Sequence, residues 1–454
     1  MTAIAPVPTL ADTLRARRER LAALINFPVV LWSGQSRSRN FPANTYPFRA
    51  SSHFLYLAGL PLVQAAIRLD GARLTLYVDE STPAAALWHG PTPSRTELAT
   101  AMGADAAYPL SELDEHLDGV ATLLVQDETT AAAQLTERGL VNPTQDRALA
   151  DALVQLRLTH DDAAIAEIRK AAQVSVQAHR AGMAATQAGQ SEATVRAAME
   201  AVIIAAGMTT AYNSIVTVHG EVLHNEHYHH VLQSGDLLLA DVGAEALTGW
   251  ASDVTRTWPV TGNFSPTQRD LYDLVLAAHD ACIEMAQPGV EYRDLHLLAS
   301  RVLAEGLVDL GILRGAPESL VEQDAHAVFF PHGIGHLLGL DVHDMEDLGD
   351  LAGYAPGRTR SDRFGLGFLR LDRPLQAGMV VTIEPGFYQV PAILQDPQNR
   401  DRYAAVVNWE RLAQFQDVRG IRIEDDVLIT STGCEVLTAS LPSQASEIER
   451  IVKP

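Results

Sequence analysis

Cysteine is almost missing from this chain of 454 residues: Cys282 and Cys434 are the only two. A disulfide framework and a thiolate metal site are both excluded, so any metal must be held by oxygen and imidazole. Positive charge is short as well. Against 56 Asp and Glu stand 34 Lys and Arg, a formal charge of −22, which offers nothing to neutralise phosphates and excludes nucleic acid as a partner. Solubility alone is enough to account for the surplus. Long hydrophobic runs are lacking too, so no segment reads as a bilayer span and no membrane partner is expected. The opening M-T-A-I-A-P-V-P-T-L-A-D-T-L-R-A-R-R-E-R puts its arginines after the weakly apolar part. That is the reverse of a secretory signal, and the expected compartment is the cytoplasm.

What is present is a globular composition, 47% hydrophobic and 20% charged. The chain is too long for one ordinary core, so two domains are expected. Patterning over the first part predicts a helix at 12–25 and strands at 28–32 and 53–57. It adds a hairpin of 65–69 with 74–78 about Asp70-Gly71, helices at 84–88, 95–102 and 111–116, and a strand at 121–126. This is a compact α/β domain without catalytic spacing. Its odd features are Phe48-Arg49 and Trp88-His89-Gly90, and a tryptophan in that setting reads as packing or interface. Composition shifts near residue 150, giving expected domains of 1–158 and 159–454. The second part opens with long helices at 161–187 and 192–206. A further helix starts at Ser265-Pro266-Thr267-Gln268, where Ser is the N-cap and Gln completes a capping box; another runs over 293–310. The repeated order hints at an internal duplication whose halves cover one curved sheet.

Ionisable residues stand where strand patterning predicts burial. The apolar run 237–240 ends on Asp241, and a second β-type run from Trp250 carries Asp253. Folded about Leu247, the stretch sets the two acids against each other across a hairpin, which a divalent cation would relieve. On the hairpin alone, one Asp in the turn and one in solvent is an equal reading. Further on, P-H-G-I-G-H places His332 and His336 four apart, and the intervening glycines argue for a tight loop or strand with backbone packed close by rather than a zinc-protease helix. His343 follows seven residues later. The run 379–383 ends on Glu384 before Pro-Gly, and in G-I-R-I-E-D the alternation puts Arg422 and Glu424 on one face. Together Asp241, Asp253, His336, Glu384 and Glu424 supply four carboxylates and one imidazole. One divalent ion leaves an uncompensated buried charge, whereas two cancel it. A pair roughly 3.5 Å apart activates water near neutral pH. Oxygen-rich ligation favours manganese, with cobalt, zinc or magnesium compatible.

Residues from about 160 to 440 resemble the proline-specific metallopeptidases of the pita-bread fold, the group of prolidase (Xaa-Pro dipeptidase) and aminopeptidase P. The resemblance is carried by D-V-G, S-D-V-T-R-T, P-H-G-I-G-H-x-x-G-L-D-V-H-D, T-I-E-P-G and G-I-R-I-E-D-D. It implies an α/β (α+β) architecture, with a C-terminal pita-bread catalytic domain behind a smaller non-catalytic one. It implies that Asp253 and Glu424 bridge two divalent metals, that Asp241 completes one ligand set, and that His336 and Glu384 complete the other. Glu384 would also handle the proton of the attacking water. His224 and His332 would bind substrate, His332 in the proline pocket; His343 would bond the scissile carbonyl, and Arg422 would brace the site behind Glu424. The two aspartates stand one residue further apart than is usual in the family, which implies a longer turn or a bulge. His227, His229 and His230 then read as loop residues rather than a metal tract.

Short proline-containing peptides are the implied substrates and a homodimer the implied assembly. The segment L-R-L-D-R-P-L-Q-A-G resembles that of prolidases, whose first arginine meets the free carboxylate beyond proline; here it is Arg370. An Xaa-Pro dipeptidase is therefore the expected activity. The alternative is an Xaa-Pro aminopeptidase acting on longer peptides, which Tyr46-Pro47-Phe48-Arg49 and Trp88 would suit. A more remote one, an inactive binding protein, is disfavoured because every ligand is kept. The stretch 345–363 is long for either branch and reads as a lid.

Overall fold

The computed structural model describes residues 9–136 and 142–452. The chain divides into two compact units, Met1–Arg157 and Leu158–Pro454. Among the described residues no helix is long and apolar enough to cross a membrane.

The first unit is built on a sheet ordered Val29–Trp32, Ala65–Asp70, Arg73–Val78 and Ala106–Tyr108, the last pair parallel. The expected hairpin at 65–78 forms with Asp70 opposite Arg73. Three expectations fail here. Residues Ser52–Ala58 are a helix, not a strand, closed by Gly59 at φ 69°. All seven of its residues are buried, and a short segment that is apolar on every face carries no period to tell helix from strand. The stretch 121–126 is also no strand, and only Ala121 pairs, in a single bridge to Val29. Two of its backbone N–H groups are taken by side chains instead: Thr122 N–H donates to Asp146 Oδ1 at 2.9 Å and Val125 N–H to Gln134 Oε1 at 3.0 Å. The expected helix at 111–116 is two separate 3₁₀ turns, Leu110–Glu112 and Asp114–His116.

The second unit repeats one inventory twice. A helix pair, Asp162–Ala185 and Glu192–Ala205, precedes an antiparallel sheet in which Leu237–Asp241 lies between Ile215–Thr217 and Thr255–Pro259. A second pair, Pro266–Met285 and Tyr292–Asp309, precedes a sheet in which Asp425–Ile429 lies between Val380–Ile383 and Cys434–Val436. The helix starts follow local chemistry. Asp161 accepts from Ala164 N–H at 2.9 Å, and Ser265 with Gln268 forms a complete capping box. Leu238, Ala240, Val254 and Trp258 pack with Val176 and Met199 into a core under the first sheet. The two sheets meet where Glu424 N–H donates to Thr255 O at 3.0 Å.

The hairpin about Thr248 sets the register of the site. Asp241 pairs with Thr255, not with Asp253, so the two acids are offset rather than opposed as the centre at Leu247 predicts. Gly249 explains the shift. A three-residue hairpin loop needs positive φ at its last residue, and Gly249 supplies it at φ 91°. A loop one residue earlier would force β-branched Thr248 into that conformation. Pairing stays in one register from Asp241 with Thr255 to Glu245 with Ala251, so the extra residue lies in the turn and no bulge is present.

Candidate metal centre

Strand ends carry the acids. Asp241 terminates Leu237–Asp241, Asp253 lies two residues before Thr255–Pro259, Glu384 follows Val380–Ile383, and Glu424 fills the gap between Gly420–Arg422 and Asp425–Ile429. His336 comes from an irregular loop held against the second sheet, with Glu384 N–H donating to Ile334 O at 2.8 Å and Thr382 N–H to His336 O at 3.0 Å. Gly335 makes that approach feasible. It has φ 152°, and a Cβ there would lie 2.3 Å from Tyr292 Oη and 2.4 Å from Thr382 O. The two histidines of P-H-G-I-G-H thus stand on a tight loop with backbone packed against it.

All ten residues singled out from the sequence line one cleft of about 270 Å³: His224, Asp241, Asp253, His332, His336, His343, Arg370, Glu384, Arg422 and Glu424. Three overlapping groups in it have ligand atoms within 4.8 Å of one another, namely Asp241/Asp253/Glu424, His336/Glu384/Glu424 and Asp253/His336/His343. His336 Nε2 is 3.3 Å from Asp253 Oδ2 and 3.8 Å from Glu384 Oε1. The donor set fits a pair of hard divalent cations, being mostly carboxylate with imidazole.

Charge supports the same fit. Burial pushes the carboxyls of Asp241 and Asp253 up, Glu384 up to about 8 and Glu424 well above the usual range, with the neighbouring acids adding to the rise for Glu424. Three buried acids and the half-buried Glu384 carry four negative charges against the single positive charge of Arg422, and they cannot all be ionised in water-poor surroundings without further positive charge among them. Burial likewise lowers His336 to about 4, leaving the neutral imidazole that coordinates a metal.

The surrounding polar groups fix each ligand. Arg422, expected behind Glu424, places Nη2 2.5 Å from Asp241 Oδ2 and Nη1 3.0 Å from Tyr388 Oη. It is linked to Glu424 through Thr255, whose hydroxyl donates to Glu424 Oε2 at 2.6 Å and accepts from Arg422 Nε at 3.1 Å. Asp426 accepts from Asp253 N–H at 3.0 Å and Ser252 Oγ at 2.7 Å. His332 Nε2 is 2.8 Å from Tyr388 Oη. His343 lies beside His336 with ring centroids 4.2 Å apart. His224 is exposed at the rim, and Phe368, 67% exposed, gives the cleft an apolar lip.

Tyr212, which touches two of the acids directly, was missed by sequence reasoning. Its Oη is 2.5 Å from both Asp241 Oδ1 and Asp253 Oδ1. Gly243, of the D-V-G motif, is required first by the facing strand, since a Cβ there would be 1.9 Å from Ser252 O, and it also leaves room for the ring, with Tyr212 Cε1 at 2.9 Å. The glycine signals a close approach of backbone beside a buried acid, which the facing strand already accounts for, so nothing in the sequence pointed to the tyrosine.

The family model for metallopeptidase family M24 matches residues 166–431, and that for the aminopeptidase P N-terminal domain matches residues 14–126. The chain is 31% identical to a human Xaa-Pro dipeptidase over 93% of this chain and 87% of that protein. It is equally 31% identical to a probable Xaa-Pro aminopeptidase of Tuber melanosporum, over 90% and 87%. Among solved structures, aminopeptidase PepP of Pseudomonas aeruginosa matches with TM-score 0.81 and 30% identity over 99% of both chains. Zinc-substituted aminopeptidase P of E. coli in complex with product matches with TM-score 0.81 and 28% identity, over 97% of this chain and 98% of that one.

Proposed function

The chain belongs to metallopeptidase family M24 and has its pita-bread fold, and from that premise we propose that it cleaves the Xaa-Pro bond at the N-terminal end of short peptides, preferring Xaa-Pro dipeptides. One observation carries the reading: the ligand groups built on Asp241, Asp253, His336, Glu384 and Glu424 share a single cleft with Arg370. In this reading Asp253 and Glu424 would be shared between two divalent cations, Asp241 would complete one ligand set, and His336 and Glu384 would complete the other. Bound there, the cations supply Lewis acidity and a water acidified toward neutral pH. Manganese suits so oxygen-rich a set best, with cobalt or zinc as substitutes.

The protein's own groups do the remainder. Glu384 takes the water's proton and returns it to the leaving proline nitrogen. His343 bonds the scissile carbonyl as negative charge grows on its oxygen. His332, lowered to about 3 by burial, is a neutral ring in the proline pocket, and His224 contacts substrate at the rim. Arg422 keeps Asp241 oriented. Arg370 meets the carboxylate beyond proline with paired N–H donors.

The second reading, an aminopeptidase accepting longer Xaa-Pro-peptides, is favoured by the names of several relatives and of the matching structures. Assay of Ala-Pro against Ala-Pro-Pro with manganese restored separates the two. Cleavage of the tripeptide alone would sink the dipeptidase reading. We place the protein in the cytoplasm as a homodimer. Leu87 and Trp88, each 80% exposed on the helix Pro83–His89, support an interface on that face. Sedimentation at the 49.1 kDa of one chain would exclude the dimer.

A further inference from the structure

Glu346 touches two of the substrate-facing groups at once. Its Oε2 lies 2.5 Å from His343 Nδ1, and its Oε1 accepts from Arg370 Nη1. His343 and Arg370 line the catalytic cleft, but Glu346 does not. It lines an adjoining cavity of about 250 Å³ whose wall shares His336, His343 and Arg370 with the cleft. The carboxylate therefore grips both side chains from behind and leaves their substrate faces clear.

Backbone geometry aims it there. Met345, wholly buried, takes φ 60°, a left-handed conformation that a non-glycine residue adopts only where its surroundings impose it. The turn is closed by Glu346 N–H donating to His343 O at 3.2 Å and Leu348 N–H to Met345 O at 3.1 Å. Upstream, Asp344 Oδ1 accepts from Asp341 N–H at 3.1 Å. These contacts sit at the head of the long 345–363 stretch, whose sequence alone assigned no chemistry.

We propose that Glu346 is a positioning residue that orients His343 and Arg370 together, so that the group polarising the scissile carbonyl and the group recognising the free carboxylate keep one fixed spacing. An ionised carboxylate only accepts, so both partners must donate to it. For His343 this puts a hydrogen on Nδ1 and sets the ring's tautomer and tilt, as second-partner carboxylates do elsewhere. For Arg370 it occupies Nη1 and leaves the other guanidinium donors for a substrate carboxylate. The Arg370 half of the proposal rests on the dipeptidase reading above; the His343 half needs only Xaa-Pro cleavage.

The test is steady-state kinetics of Glu346→Ala and Glu346→Gln on Ala-Pro and Ala-Pro-Pro, at matched manganese content and thermal midpoint. Glu346→Ala loses both grips. It is expected to lower kcat on each peptide and to raise KM for Ala-Pro alone, each by roughly 10- to 100-fold, the scale of a lost charge-assisted hydrogen bond. Glu346→Gln still accepts from Arg370 through its amide oxygen but presents N–H to His343 Nδ1, which inverts the tautomer. It is expected to keep the KM for Ala-Pro near wild type while kcat falls. Kinetics of Glu346→Ala within twofold of wild type on both peptides would overturn the proposal, as would an equal rise in KM on both peptides in both variants. Wild-type cleavage of Ala-Pro-Pro alone would instead sink the dipeptidase reading and Arg370's part with it, before any variant is made.

Discussion

The Tyr212 hydroxyl lies 2.5 Å from the Asp253 carboxylate, and at the same distance from that of Asp241. A phenol has one hydrogen to give, so it ties the acids together without cancelling the charge between them. Burial and those neighbouring charges push its own ionisation well up, and it stays a neutral donor. Tyr212→Phe keeps the ring beside Gly243 and deletes the tie. Manganese affinity is expected to fall about 10- to 100-fold with the fold intact, which calorimetric titration of metal-free protein measures; an unchanged affinity would reduce Tyr212 to packing.

Asp253 and Glu424 each belong to two of the three overlapping ligand groups, as His336 does, and in the proposed reading these two acids are shared, so removing either disturbs both ion positions. Asp253→Ala is expected to lower bound metal and to reduce turnover by more than the roughly 100-fold that altered supporting contacts cost. Chelation of the wild type is expected to lower its thermal midpoint, because the buried acids then face each other without a counter-charge. Restoring manganese at 100 times its Kd should return about 2.7 kcal/mol. Elemental analysis and calorimetry check both, and full turnover in Asp253→Ala would refute the assignment.

The acids could be read from the chain because each breaks a local pattern: Asp241 and Glu384 are charges at the ends of apolar runs, where an ordinary core strand has no use for them, and Glu424 shares one face of an alternating strand with Arg422. Tyr212, Thr255 and Ser252 break none, since a buried tyrosine or hydroxyl is unremarkable in sequence. Register was legible in principle, because Gly249 marks the left-handed position of the hairpin loop, yet counting from the acids alone centred it one residue early. The helix Ser52–Ala58 could not be told from a strand by its pattern, since all of its faces are buried. Nor could the stretch 121–126, whose backbone partners, Gln134 and Asp146, lie on later segments.

Arg370 decides substrate length in the dipeptidase reading. Its side chain is about one-third exposed and borders the cleft. Arg370→Ala is expected to raise KM for Ala-Pro roughly 10- to 100-fold, as a lost hydrogen bond to a charged group does, and to leave Ala-Pro-Pro little changed. Arg370→Lys should recover only part of the loss, because an ammonium cannot make the paired contact. Equal effects on the two peptides would assign Arg370 to a surface ion pair with Glu346 and nothing more.

Behind the acids lies a charge pair whose loss should be visible in acid. Arg256 Nη2 is 2.8 and 3.1 Å from the two oxygens of Asp425, which also meets Thr438 Oγ1 at 2.5 Å and His279 Nε2 at 3.1 Å. Burial alone would raise the Asp425 carboxyl, but Arg256, with His279 and Thr438, outweighs it and holds the group below the usual range. A carboxyl whose folded value lies below its unfolded one stabilises the protein above the unfolded value, about 3.8, and gives that stability up as pH falls through the folded value. Asp425→Asn leaves Arg256 buried without its counter-charge, and about 3–5 kcal/mol is expected to be lost at pH 7. The gap from wild type should begin to narrow as pH falls below about 3.8, where the carboxyl of the unfolded chain takes a proton while the folded one stays ionised, and should go on narrowing toward the folded value. Urea unfolding across that range measures it. Arg256 Nη1 also donates to Glu424 O at 2.7 Å, so the variant should bind manganese more weakly even at pH 7. A gap that stays constant from pH 7 to pH 3 would mean that the Asp425 charge contributes nothing and that the loss comes from packing.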